Sequence, residues 1–317
     1  MNTLTVDQSG KGHYCSIQEA LDAVPYAEQA MIIIEQGVYH EKLFCDKRNV
    51  HLVGRGEVVI SNSDGAKEKI DVLPKRGTFR SYTAFFSGEF LRMEHVTIQN
   101  NAGAGSEAGQ GVALYLDVDC SYLTDVRLLG CQDTLFVAPL PEREREANGF
   151  YGPRCFAKRK LNTLFFDQGY IQGDVDFIFG GADALFRHTE ICSSATGFVT
   201  APSTCKKDIG LVFDHCTFTA KESVPPESVY LMRPWREEGK AAFLSCTLGD
   251  HINKKLRIDW PGHEGLGEGT LSCHQCHYTD QGRTDKAFEL SSIQAISLLD
   301  AIEQRCKVFH QSLYGDV

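Results

Sequence analysis

A short apolar pattern recurs along this chain: a large apolar residue, two spacers, a small or branched residue, one spacer, and another large apolar residue. It occurs at Met93/Val96/Ile98, Leu123/Val126/Leu128, Phe166/Gly169/Ile171, Phe186/Thr189/Ile191, Phe213/Cys216/Phe218 and Phe243/Cys246/Leu248, with a weaker copy at Cys273/Cys276/Tyr278. The last residues of successive copies lie 30, 43, 20, 27, 30 and 30 positions apart. Repetition at a period of about 20 to 50 residues marks a chain built from stacked units, each too small to bury a face by itself. Each copy has the alternation of a short strand, broken by a polar bend and resumed after it, as in Phe213-Asp214-His215-Cys216-Thr217-Phe218. Stacked copies form ladders whose inward residues make one column. The expected fold is therefore all-β, a parallel β-helix. A doubly wound α/β fold would need helical segments of about 10 to 15 residues between strands, and the middle of the chain has none.

Two helices are expected at the ends, where a solenoid must be covered. Ser16-Ile17-Gln18-Glu19 reads as a capping box leading into Ile17, Ala20, Leu21 and Val24, with Pro25 as the stop. A second helix runs from about Ser291 through Ile293, Ile296, Leu299 and Ile302 to Cys306. A length of 317 residues allows two ordinary domains, but the repeat favours one solenoid.

The repeat also orders part of the cysteine content. Cys216, Cys246 and Cys276 occupy the same slot in successive copies, which predicts a buried stack of thiols one strand spacing apart, ~4.8 Å. Cys273-His274-Gln275-Cys276 is the single Cys-x-x-Cys among 12 cysteines. Without a second pair it reads as packed thiols rather than zinc ligands. His40, His95, His188 and His215 lie in or beside strands but lack metal-ligand spacing. No metal and no cofactor is expected. Net charge is −10, from 32 basic and 42 acidic residues, the wrong sign for neutralising phosphates, so no nucleic acid partner is expected. The longest apolar run, Ala30 to Ile34, is far shorter than the ~18 residues of a membrane span, so no membrane partner is expected either. Residues 1 to 7 contain no basic residue before an apolar stretch. Together with the many thiols, this gives the expectation of a cytoplasmic protein, or of a secreted one if a leader has been removed.

Five islands are denser in polar groups than a solenoid core requires: Gly37–Glu41, Gln110–Leu114, Gly130–Leu135, Gly173–Gly180 and Arg233–Trp235. Singly, each has an ordinary reading: Asp133 could bracket a turn, Asp176 could be a solvated strand residue, and Trp235 could be core. Together they resemble the pectin methylesterase (pectinesterase) family, carbohydrate esterases of the right-handed parallel β-helix type. The chain carries, in the family's order, G-V-Y-H-E, Q-G-V-A-L, G-C-Q-D-T-L, V-D-F-I-F-G and R-P-W, and the likeness extends over about residues 4 to 280.

The resemblance implies hydrolysis of methyl esters of homogalacturonan or of methylated oligogalacturonides. It assigns Asp176 as nucleophile, Asp133 as general acid and then base, Gln110 and Gln132 as oxyanion donors, and Arg233 as the group that orients Asp176. Trp235, Phe179, Phe136, Val175 and Thr78 become candidate substrate contacts. The chemistry is coherent, because ester hydrolysis needs a nucleophile, a proton donor for the leaving alkoxide and donors for the oxyanion, and no G-x-S-x-G elbow is present. Asp133 must begin protonated, which burial and a neighbouring carboxylate would favour. A lyase would show acidic ligands with a basic residue, and a pectin hydrolase an Asn-x-Asp followed by an Asp pair; neither is found. A silent glycan-binding β-helix would have no need of both glutamines and both aspartates.

Three departures stand out: Gly111 in place of alanine, Met232 in place of glycine before R-P-W, and Phe136 where tyrosine is common. Met232 is expected to alter the sugar pocket. Asp133 and Asp176 are 43 residues apart, more than the family's single coil. The excess lies in an insertion at 137–160, a mixed-charge run after two prolines, expected to be a solvated loop that borders the cleft and narrows it. The expected organisation is one domain over 1–317: a cap at about 14–25, coils over about 30–280, and a helical tail at about 288–308.

Overall fold

The copies of the repeat are corners. In each, the second spacer residue has left-handed backbone: His95, Asp125, Gln168, His188, His215, Ser245 and Gln275 all have φ between 48° and 56°. A left-handed residue inserts one position into the strand alternation and turns the chain, so that apolar residues before and after the bend both face inward. Histidine and aspartate accept this conformation more readily than branched residues, which explains the polar spacers.

The computed structural model describes residues 2–71, 73–260, 269–279 and 289–314, with the backbone alone for 306–314. The expected boundaries at about 280 and 288, and the side chain of Cys306, lie outside the described residues. Among the described residues, twenty strands join in one continuous hydrogen-bonded sheet. The strands pair in parallel along three ladders. The first follows the row Leu4, Ile32, Leu52, Met93, Leu123, Phe166, Phe186, Phe213, Phe243 and Cys273. The second follows Tyr39, Ile60, Ile98, Leu128, Ile171, Ile191, Phe218, Leu248 and Tyr278. The third follows Leu43, Ala84, Leu114, Leu135, Ile178, Thr200 and Met232. In the middle of the chain, successive coils visit the three ladders in that order, so each coil lies on the one before it.

One apolar core runs through the interior from Val6 to Cys273. The rings of Phe186 and Phe213 stack at 4.7 Å, and those of Phe213 and Phe243 at 5.0 Å, each pair contributing about 0.5 to 1.5 kcal/mol beyond burial. The thiol series is present, with Cys216 and Cys246 buried as expected and Cys276 only half-buried. Cys216, Cys246 and Cys276 donate to the carbonyls of Phe186, Phe213 and Phe243, each one coil back, at 3.3, 3.4 and 3.3 Å. Burial pushes the Cys246 thiol upward and keeps it neutral.

Helix α1 (Ile17–Ala23) buries Ile17, Ala20 and Leu21 against the first coils. Its N-terminus differs from a simple capping box. Ser16 Oγ accepts from Glu19 N, but the amides of Ile17 and Gln18 donate to Glu41, both at 2.9 Å, and Ser16 Oγ also donates to Glu41. The Tyr39 side chain is fully buried. The G-V-Y-H-E island is thus a structural clamp on a helix N-terminus, where a carboxylate is favoured by the exposed amides and the helix dipole. A single turn, α2 (Gly105–Ala108), was not expected. Helix α3 (Ser292–Tyr314) extends past the expected end. It lays Ala295 and Ile302 on Leu185, Val212 and Leu244 of the first ladder's outer face, and Arg187 pairs with Glu303 at 2.6 Å. Ile293 and Ile296 point to solvent, 81% and 59% exposed, so the buried stripe is rotated from the one the spacing suggested.

Candidate active site

The polar islands at 110–114, 130–135, 173–180 and 233–235 converge where the chain enters the third ladder. Asp133 stands two residues before Leu135 and Asp176 two before Ile178, and these two strand residues are register partners. Asp133 N donates to the Val175 carbonyl at 3.0 Å and Asp174 N to the Cys131 carbonyl at 3.0 Å, locking adjacent coils together at the two aspartates. Both aspartates have left-handed backbone, φ 65° for Asp133 and 51° for Asp176, and both are buried. Gly173 is required beneath them, since a Cβ there would lie 2.2 Å from Phe177 Cβ.

Arg233 holds Asp176 through a fork, Nε to Oδ1 at 3.2 Å and Nη2 to Oδ2 at 2.5 Å. The guanidinium is itself fixed between two rings, 3.7 Å from the Phe198 centroid and 3.8 Å from that of Trp260, and the Trp260 indole donates to the Pro234 carbonyl at 3.0 Å. Bidentate, stacked arginine is the geometry least replaceable by lysine.

The two carboxyl groups are driven apart in acidity. Burial raises Asp176 to about 6, against the opposing pull of Arg233 and then of Arg145. Asp133 is pushed well above the usual carboxylate range, first by burial and then by the charge of Asp176, with Arg233 opposing and Asp174 adding to the rise. Both groups are raised by burial, and the charge of Asp176 adds to the rise at Asp133, so ionisation of the one disfavours ionisation of the other. The Gln132 amide hydrogen-bonds Asp133.

These groups open into a cleft of about 550 Å³ lined by Gln110, Gln132, Asp133, Asp176, Thr78, Phe79, Phe179 and Trp235 among others, a size that suits a ligand of a few sugar units. The remaining expected contacts sit differently. Phe136 is fully buried, packed under Phe79 and Phe179 at 4.9 Å from each, so it supports the cleft from below and offers no face to a substrate. Phe179 is 3% exposed and reaches the cleft with little surface. Val175 does not line it. Met232 is fully buried in the central core and cannot shape a sugar pocket. Gly111 has a local reason: a Cβ there would lie 2.9 Å from Asn100 Oδ1, and Asn100 holds the Ser81 carbonyl at 2.8 Å beside the cleft loop.

The insertion does border the cleft. Arg145, Glu146, Asn148, Gly149 and Phe150 all line it. The segment is tied to both neighbouring loops, since Phe150 packs edge-on against Phe79 and Trp235, each at 5.9 Å, and Glu146 pairs with Lys75 at 3.5 Å. Phe79, Phe150, Trp260, Arg145 and Arg236 were not singled out in the sequence, and no short motif marks them. Lys67, Lys75, Arg145 and Arg236 also line the cleft, so a chain of net charge −10 presents basic groups where an acidic polymer would be bound.

Comparison with known proteins bears on the family and the fold. The pectinesterase family profile matches residues 3–146 and 156–292, leaving out part of the insertion. Pectinesterase 31 of Arabidopsis thaliana is 30% identical over 283 residues, 86% of this chain and 81% of that protein. Probable pectinesterase/pectinesterase inhibitor 17 of the same plant is 29% identical over 82% of this chain, which spans 48% of that longer protein. The fold matches the crystal structure of the pectin methylesterase from Aspergillus niger with a TM-score of 0.73 at 26% identity, covering 92% of this chain and 90% of that one. It also matches the pectin methylesterase from carrot with a TM-score of 0.75 at 24% identity, covering 96% of each chain.

Proposed function

The chain belongs to the pectinesterase family, and from that membership we propose that it hydrolyses methyl esters of homogalacturonan or methylated oligogalacturonides, giving free carboxylate and methanol. The observation that carries the reading is a pair of adjacent buried carboxyl groups of which one alone, Asp176, is gripped by an arginine fork. Asp176, ionised and aimed by Arg233, attacks the ester carbonyl. The amides of Gln110 and Gln132 donate to the developing oxyanion, each such donor contributing about 10²- to 10³-fold in rate. Collapse expels methoxide, which takes the proton of Asp133 and leaves as methanol, and the acyl group remains on Asp176 as an anhydride. Asp133, now a carboxylate, removes a proton from water. The hydroxide opens the anhydride, releases the uronate and frees Asp176, and Asp133 is again protonated.

Of the candidate substrate contacts, Thr78, Trp235 and a small part of Phe179 line the cleft, and basic lining groups suit a polyuronide. We read the architecture as a single right-handed β-helix with α1 as its N-terminal cap and α3 as its C-terminal tail. The cytoplasmic location belongs to the same proposal, supported by the number of cysteines kept as buried thiols in the core, Cys45, Cys192, Cys216 and Cys246 among them; cell fractionation tests it. The enzymatic reading is tested by methanol release from highly methylated pectin and methylated oligogalacturonides, with wild type and Asp176→Asn. Release by the wild type and its loss in the variant are expected. A 4,5-unsaturated product, or no methanol from either substrate, would overturn it.

A further inference from the structure

This inference rests on the esterase reading and concerns where along a uronide chain the enzyme can act. The outward residues of the third ladder form one row, Phe85, Tyr115, Phe136, Phe179 and Ala201, each the register partner of the next. A row of this kind on the outside of stacked coils is a floor along which an extended sugar chain can lie. Only its later part is open to one: Phe179 and Ala201 line the cleft, whereas Phe85, Tyr115 and Phe136 are fully buried.

Two segments from opposite edges of the ladder cover them. Residues 63–83 lead into the ladder before Ala84, and the insertion leaves it after Val137. Tyr82 packs on Phe85 at 5.6 Å, and Phe79 on Tyr115 and Phe136 at 5.8 and 4.9 Å. Above the row, Phe150 meets Phe79 edge-on at 5.9 Å, the Arg80 guanidinium lies 5.5 Å from the Tyr151 centroid, and Lys75 pairs with Glu146 at 3.5 Å. The ion pair is exposed and adds little; the buried rings hold the junction. Phe150 is also fixed within its own segment, because Glu144 accepts from the amides of Asn148 and Phe150 at 2.9 and 3.0 Å.

Phe79 and Phe150 both face the cleft and stand at the end where the row goes under cover. The reacting groups lie beside them. Asp133 belongs to the coil of Phe136, the last covered member of the row, and Asp176 to the coil of Phe179, the first open one. A sugar chain lying on the open floor therefore stops at these rings, with the ester nearest the stop within reach of Asp176. We propose that the junction of Phe79 and Phe150 is an end wall that makes the enzyme end-acting: it takes methyl esters at or next to one terminus of a uronide chain and shuts out internal units of long polymers. The insertion supplies half of the wall, and with it a restriction that the five motifs do not encode.

The test uses fully methylated oligogalacturonides of increasing length, isotope-labelled at the reducing end and supplied at equal ester concentration. Methanol release is followed, and tandem mass spectrometry locates the first carboxyl groups freed. Wild-type kcat/KM per ester falls about twofold for each doubling of length, because termini are diluted among internal esters, and the early carboxyl groups lie at one terminus. In Phe150→Ala, after thermal melting has verified folding, release from internal units rises by about tenfold, the scale on which a packed ring excludes an added group. Phe150→Leu, which lowers the wall but leaves a smaller cavity, shifts the pattern the same way and serves if the alanine variant does not fold. Internal esters freed by the wild type as fast as terminal ones, a rate per ester independent of length, or a terminal pattern unchanged in the folded Phe150 variants would overturn the proposal. If the wild type releases no methanol from any oligomer, the esterase reading fails, and the same length series titrated by tryptophan fluorescence still decides the wall. Binding that follows the number of chain ends supports it, and binding that follows the number of sugar units overturns it.

Discussion

Two edges of this molecule use the same backbone device for opposite ends. Where the first ladder turns into the second, seven left-handed residues mark the corners, nearly all exposed, with side chains satisfied locally: His95 by Asp125 at 2.8 Å, His215 by Asp214 at 2.7 Å. Where the chain enters the third ladder, two further left-handed residues, Asp133 and Asp176, are buried under loops from distant coils. The conformation is the same, but the solvent is not. At the first edge water screens the polar group and it serves only to turn the chain. At the second, the side chains are largely withdrawn from water, and burial raises the pKa of both carboxyl groups.

That contrast can be broken most sharply at Asp176. Asp176→Asn keeps the shape but removes the carboxylate and one of the two acceptors of the Arg233 fork, and methanol release should fall by about 10⁴-fold or more. Asp133→Asn should cost about 10² to 10⁴-fold in rate with no loss of stability at neutral pH. The sign follows from linkage. Asp133 holds its proton more tightly in the folded protein than in the unfolded chain, so its contribution to stability is present at low pH and is lost as pH rises through its folded value. Melting temperature followed from pH 5 to 9 should therefore decline less in Asp133→Asn than in wild type. The activity profile sharpens the same point: kcat/KM should rise through about pH 6 as Asp176 ionises, and fall again at higher pH as Asp133 loses its proton. A profile without the acidic limb would contradict the order of ionisation.

Smaller effects are expected away from the third ladder. Glu41→Ala removes the acceptor for two amides of α1 and should cost about 1 to 2 kcal/mol in denaturant unfolding, with kcat unaltered, although Glu41 belongs to the family's first motif. His215→Gly relieves a left-handed residue but loosens the unfolded chain and loses the Asp214 contact, so the net change should stay within about 0.5 to 1 kcal/mol. A larger loss would mean that the exposed corners are more than turns.

The two edges were unequally legible. The corner repeat spans six residues and recurs seven times, and period and alternation betray it without any fold in hand. The five groups proposed as catalytic were found by resemblance rather than by periodicity, since each occurs once. Glu41 shows the limit of a motif: its island looked as functional as the others, yet its carboxylate caps a helix. Met232 and Phe136 show another, because whether a side chain at a given strand position faces the core or the cleft depends on how loops cover the ladder. Arg145 lay in a run of alternating charges that reads as solvated, and nothing local reveals that it reaches the Trp235 carbonyl, 90 residues away.

By itself, the sequence determined the parallel coil, the column of Phe and Cys side chains within it, and α1, because these depend on spacing within one or two coils. Tertiary structure alone decided which polar residues are buried, and with that the raised acidity constants of two aspartates, the basic lining of a cleft in an acidic protein, and the place of the insertion along that cleft. Burial is a property of what lies across the cleft, contributed here by loops more than 50 residues apart, and an acidity set by desolvation cannot be read from any one stretch of chain.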